Sequence, residues 1–209
     1  MINARKNILF AILATLIVGL LIVFITSDKT NLRYWFQDFA RQDKPYTLLL
    51  GSSSIFRLSP SLLTHCNNPV IYGFNNGTTE SVNAYLSFAN LENASKVIIY
   101  IGENDIAYGE QFATTFMQLN NIVNTVKSQT KAEIGLIKIK YSPARASSHE
   151  DMLEFNGMLV KQYAEDSLVQ LIPFDKISNK SWFISDGVHL NNAGNRQFSE
   201  WINNFCGQD

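Results

Sequence analysis

Five short apolar runs punctuate the chain after residue 45: Thr47–Leu50, Val70–Tyr72, Val97–Ile101, Ile134–Ile139 and Leu168–Ile172. Between them the apolar residues recur every three or four positions. Val82, Tyr85, Leu86 and Ala89 mark one such stretch, and Phe112, Phe116, Leu119, Val123 and Val126 a second. Met152, Phe155, Leu159 and Tyr163 mark a third, and a last one carries Phe198, Trp201, Ile202 and Phe205. Spacing of three and four puts side chains on one face of a helix, while short unbroken apolar runs suit strands buried on both faces. Strands that alternate with helices require right-handed crossovers and a parallel sheet covered on both sides. The pattern predicts an α/β fold, a flavodoxin-like three-layer α/β/α sandwich around a five-stranded parallel sheet. In such sheets ligands sit beyond the carboxyl ends of the strands.

The N-terminal part follows a different pattern. From Ile8 to Ile25 there is no charged residue. As a helix rising about 1.5 Å per residue, this run nearly crosses a hydrocarbon core of roughly 30 Å. It exceeds the apolar region of a secretory signal, and no small-x-small cleavage pattern follows. We therefore read residues 1–27 as an uncleaved signal anchor with a transmembrane helix, against the alternatives of a cleaved signal peptide or a buried helix. Arg5 and Lys6 precede the run, whereas Asp28 offsets Lys29 beyond it. The positive-inside rule then places the rest of the chain on the periplasmic or extracellular side. Asn31 to Gln42 sets Leu32, Trp35, Phe36 and Phe39 on one face, so residues 28–44 are expected to form an amphipathic linker helix. Pro45 ends it, and residues 45–209 are expected to form the α/β domain.

Composition narrows the partners. A net charge of −1, with 17% charged residues and no run of one sign, excludes the concentrated basic footprint of a nucleic-acid surface. Two cysteines, Cys66 and Cys206, are compatible with a disulfide in an oxidising compartment or with two buried thiols; spacing does not choose. Three scattered histidines and two distant cysteines give no metal-ligand spacing, so neither metal nor cofactor is implied.

Four loops at strand ends hold candidate chemistry: Gly51-Ser52-Ser53-Ser54, Asn75-Asn76-Gly77-Thr78-Thr79, Gly102-Glu103-Asn104-Asp105 and Asp186-Gly187-Val188-His189. Together they supply the parts of acyl transfer. A serine hydroxyl attacks only when a base takes its proton. His189 is the natural base, because imidazole is the side chain suited to proton exchange near neutrality. Asp186, three residues earlier, can hold its second ring nitrogen. The oxyanion needs fixed donors, for which the backbone N–H groups of Ser53 and Gly77 and the side-chain amide of Asn104 are candidates. Taken singly, each motif also reads as an ordinary cap or turn; their ordered conjunction after strands points to a site.

That conjunction resembles the SGNH hydrolases, also called GDSL-type esterases, whose four marker blocks supply Ser, Gly, Asn and His. The resemblance runs from Thr47 to Phe205, with Gly102-Glu103-Asn104-Asp105 and Asp186-Gly187-Val188-His189-Leu190 the most specific matches. It implies that Ser53 is the nucleophile, with Ser52 at the usual Asp position. The second block falls at Gly77 rather than Gly73. The Gly-x-Ser-x-Gly elbow of α/β-hydrolases is absent, since Ile55 follows Ser54. By this resemblance the protein is a membrane-anchored serine esterase, and short-chain, above all acetyl, esters on envelope or extracellular glycans are its expected substrates. Ser53, His189 and Asp186 form the triad, and Ser53, Gly77 and Asn104 the oxyanion hole. An acyltransferase using a glycan acceptor and a catalytically silent anchored binding domain are the alternatives. Arg145, after the fourth strand, is a candidate for binding an anionic substrate group such as a uronic acid or phosphate. The membrane, through residues 8–25, and the acylated substrate are the expected partners. Asn156 matches a position of a bacterial subgroup, without an evident role.

Overall fold

The structure is a computed structural model that describes residues 15, 29–39, 41, 44–176 and 180–208. The anchor expected at residues 8–25 lies, Thr15 apart, outside them. No helix among the described residues is long and apolar enough to cross a membrane. Helix α1 (Lys29–Phe39) belongs to a unit of its own and falls within the expected linker. Its Trp35 ring meets Phe36 edge-on at 5.0 Å and stacks on Phe39 at 6.0 Å, with all three rings exposed. Asp38 pairs with Arg41 at its end.

The second unit, from residue 42 onward, holds the sheet. Its strands are β1 (Tyr46–Gly51), β2 (Val70–Gly73), β3 (Ala94–Tyr100), β4 (Glu133–Ile137) and β5 (Val169–Ile172). They lie in the order β2-β1-β3-β4-β5, and every pair is parallel. This is the flavodoxin-like order that the alternation of elements predicts. The helices are α2 (Ser53–Phe56), α3 (Thr79–Leu86), α4 (Glu103–Ala107), α5 (Phe112–Gln129), α6 (His149–Tyr163) and α7 (Asn192–Cys206).

The central strands are apolar throughout because both faces are covered. Leu48, Leu49, Leu50, Val97, Ile98 and Ile99 are all fully buried. Successive side chains of a strand point to opposite faces. Leu49, Ile98, Tyr100, Ile137 and Ile172 accordingly gather in one core cluster with Phe198, Ile202 and Phe205 of α7. Cys66 and Cys206 lie in that cluster and form a disulfide across 140 positions of sequence, which resolves the open choice between bridge and thiols.

The fourth strand ends earlier than expected. Its ladder stops at Ile137, although the apolar alternation runs to Ile139. Asn156, buried on α6, accepts from the Ile139 N–H (2.8 Å) and donates to the Ile139 carbonyl (2.8 Å). One side-chain amide thus satisfies both backbone groups that a neighbouring strand would otherwise pair.

Candidate active site

In an order of β2-β1-β3-β4-β5 the strand order reverses between β1 and β3, and the crevice outside their carboxyl ends is where such folds bind ligands. The loops after those two strands carry Ser53 and Asn104. Gly51 lets the first loop form, since a Cβ there would lie 2.0 Å from the Tyr100 carbonyl oxygen. That same carbonyl accepts from the Ser52 N–H at 3.0 Å, which ties the turn to β3. Ser52 takes the extended N-cap conformation, and Ser53 opens α2. As the first helical residue, Ser53 has an N–H with no acceptor inside its own helix. Ser54 lies within α2, its hydroxyl oxygen 3.4 Å from the Lys140 ammonium.

The fourth loop comes to the same place. Phe183 and Leu190 form an antiparallel bridge, both largely buried in the core, and the chain between them turns tightly. Gly187 has φ of +65°, a left-handed conformation that glycine adopts without steric cost. Within this turn Asp186 Oδ1 accepts from the N–H groups of Val188 and His189, both at 2.9 Å. Asp186 Oδ2 lies 2.6 Å from His189 Nδ1, and His189 Nε2 lies 3.0 Å from Ser53 Oγ. A carboxylate can only accept, so Nδ1 carries the proton and a neutral ring presents Nε2 as acceptor to the serine hydroxyl. Burial pushes the Asp186 carboxyl up, but the hydrogen bonds from the His189 ring and from the His189 and Val188 amides outweigh it and hold the group at about 2. The Asp186 carboxylate is therefore ionised at neutral pH.

Asn104, on α4, is buried and its Nδ2 donates to the Gly77 carbonyl at 2.8 Å. Gly77 is thus beside Asn104, as expected, but in a different role. Its own N–H closes a turn onto the Phe74 carbonyl at 3.0 Å, so that donor is not open to an oxyanion in this structure. An amide nitrogen has two hydrogens, and Asn104 keeps its second. Asp105 joins the same two loops by accepting from the Thr79 N–H (3.0 Å) and hydroxyl (2.7 Å).

Arg145 is placed otherwise than a free anion-binding guanidinium. Its Nη1 donates to the Glu103 carbonyl (2.9 Å) and its Nη2 to Asn104 Oδ1 (2.7 Å). Beneath it lies a buried polar cluster that sequence reasoning missed. Glu103 and Lys140 form an ion pair with side chains 3% and 1% exposed. Glu103 also accepts from the Tyr100 hydroxyl (2.5 Å) and the Ser142 hydroxyl (2.6 Å). Burial favours the neutral acid, but Lys140 and these hydroxyls outweigh it and hold the Glu103 carboxyl below its ordinary range. Burial, with the Glu103 carboxylate, raises the Tyr100 phenol well above its own range. Glu103 stood in the sequence only as a member of the third block, with no role of its own. Nothing in the sequence brings Lys140 to Glu103, 37 positions away.

Parallel α/β sheet, serine-histidine-aspartate line and adjoining amide together define an ester-hydrolysing α/β enzyme. The chain belongs to the GDSL-like lipase/acylhydrolase family, whose model matches residues 49–202. Solved structures share the fold at low identity. One is described as a platelet activating factor from Streptococcus pneumoniae, at 19% identity and a TM-score of 0.75, covering 94% of this chain and 99% of that one. Another is described as an acylhydrolase from Bacteroides fragilis, at 19% identity and a TM-score of 0.71, covering 86% and 97%. A carbohydrate esterase family 3 protein from Talaromyces cellulolyticus aligns at 13% identity and a TM-score of 0.63, covering 77% and 95%. No curated protein sequence matches the chain.

Proposed function

We propose that the protein is a membrane-anchored serine esterase that removes short acyl groups, above all acetyl, from envelope or extracellular glycans. The observation that carries the chemistry is the unbroken line from Asp186 through His189 to the Ser53 hydroxyl. Ser53 Oγ attacks the ester carbonyl carbon as His189 Nε2 takes its proton. The carbonyl oxygen becomes an oxyanion, met by the Ser53 N–H at the start of α2 and by the second N–H of Asn104. The tetrahedral intermediate collapses, and His189 returns the proton to the leaving alcohol. Water, deprotonated by His189, then releases the acid from the acyl-serine. Asp186 keeps the ring in the tautomer that each step uses.

The preference for acetyl groups on glycans rests on the family and on the expected location. A disulfide between Cys66 and Cys206 suits an oxidising compartment. The charge-free run from Ile8 to Ile25 and the exposed aromatic rings of α1 suit an anchor and a membrane-surface linker. Nitrophenyl esters of two to twelve carbons and acetylated polysaccharides test the substrate class. The expected result is a rate that falls with chain length and acetate released from the polymer. A preference for long acyl chains, or for transfer to an added glycan over water, would overturn the assignment.

A further inference from the structure

Arg145 is the only charged side chain with a described hydrogen bond to the Asn104 amide, and its contacts explain how that amide is aimed. The guanidinium can only donate. At 2.7 Å from Nη2, the Asn104 oxygen must therefore be the atom facing it. On the other side the Gly77 carbonyl can only accept, and it receives Nδ2 at 2.8 Å. Turning the amide over would set N–H against N–H on one side and oxygen against oxygen on the other. Both contacts thus select one orientation, and it leaves one N–H of Nδ2 uncommitted.

The guanidinium is itself held on three sides. Nη1 donates to the Glu103 carbonyl, Nε lies 3.8 Å from Glu103 Oε1, and the Tyr108 ring centroid lies 5.7 Å from Cζ. Glu103 is fixed in turn by Lys140, Tyr100 and Ser142. The Arg145 segment also touches the histidine loop, through the Ala144 N–H donating to the Gly187 carbonyl at 3.1 Å.

We propose that Arg145 is a positioning residue of the oxyanion hole: it orients the Asn104 amide and does not bind substrate. This rests on the esterase reading above and deepens it. With Arg145 absent, the Asn104 oxygen loses its partner and the Gly77 carbonyl alone holds the amide, so its N–H meets the oxyanion only part of the time. The loss falls on the transition state, because the oxyanion exists only there.

The test uses the full-length chain with 4-nitrophenyl acetate, comparing Arg145→Ala, Arg145→Lys, Asn104→Ala and the Arg145→Ala/Asn104→Ala double variant. Asn104→Ala should lower kcat on the order of 10²-fold. Arg145→Ala should lower kcat at least about tenfold with KM unchanged, and added guanidinium should restore part of it. Arg145→Lys, which keeps charge without the planar fork, should be impaired in the same sense. The double variant should be no slower than Asn104→Ala alone, because the guanidinium then has no amide to orient. The proposal is overturned if Arg145→Ala raises KM at constant kcat, or if the two losses multiply in the double variant. If Arg145→Ala does not fold, as judged by its thermal transition, Arg145→Lys with and without Asn104→Ala decides by the same comparison. Wild-type turnover that survives Ser53→Ala, or that Asn104→Ala leaves intact, sinks the esterase mechanism instead.

Discussion

Lys140→Met breaks the buried ion pair and leaves the Glu103 carboxylate with two hydroxyl donors and a guanidinium nitrogen 3.8 Å away. Removing one partner of a buried pair costs about 3–5 kcal/mol, because the remaining charge is desolvated without compensation. The neighbouring guanidinium places this case near the lower end, about 3 kcal/mol. For a chain of this length that lowers Tm by about 6–12 °C. The pair also sets a pH dependence. The folded-state pKa of Glu103 is depressed, so its contribution is present above the unfolded carboxyl value and is lost as pH falls through the folded one. In Lys140→Met burial is no longer outweighed and favours the neutral acid, so the variant's deficit relative to wild type should shrink as pH falls. Thermal and urea denaturation of the full-length chain between pH 7 and pH 4 reads both effects. Adding Glu103→Gln should recover more than half of the loss and flatten the acid limb. Lys140→Met within about 0.5 kcal/mol of wild type at pH 7, or a double variant no better than the single one, would refute the reasoning.

Three other outcomes follow from the geometry. Reduction of Cys66–Cys206 frees a loop spanning 140 positions, worth about 5 kcal/mol in the chain-entropy model, so Tm measured with and without reductant should fall markedly. Asn156→Leu keeps the volume but orphans the Ile139 N–H and carbonyl; a loss of about 2–4 kcal/mol in urea denaturation is expected. Asp186→Asn removes the acceptor that fixes the His189 tautomer, and kcat for acetyl esters should drop on the order of 10²–10⁴-fold with thermal stability little changed.

The strands were legible because a parallel sheet buried on both faces writes itself as continuous apolar runs. The long helices were legible because each buries one face. Helices α2 and α4 were not, since four or five residues show no period. The line from Asp186 through His189 to Ser53 was readable because Asp186 and His189 share one turn and the flanking blocks resemble a family. What escaped depends on contacts between distant positions. Lys140 meets Glu103 across 37 residues. Asn156 sits on an apolar helix face, and its target is a backbone that sequence does not display. The disulfide joins residues whose approach only the folded chain decides. Gly77 shows the converse: the sequence offers its N–H as a donor, but whether that N–H is open depends on the turn it closes onto Phe74.

The central claim is that Ser53 is the nucleophile. Intact mass measurement after exposure to a serine-reactive fluorophosphonate, beside 4-nitrophenyl acetate turnover, tests it most directly in wild type and Ser53→Ala. One adduct on wild type, mapped to Ser53, with both adduct and turnover lost in Ser53→Ala, is the predicted result. An adduct or turnover that persists in Ser53→Ala, or no adduct on the wild-type chain, would contradict it.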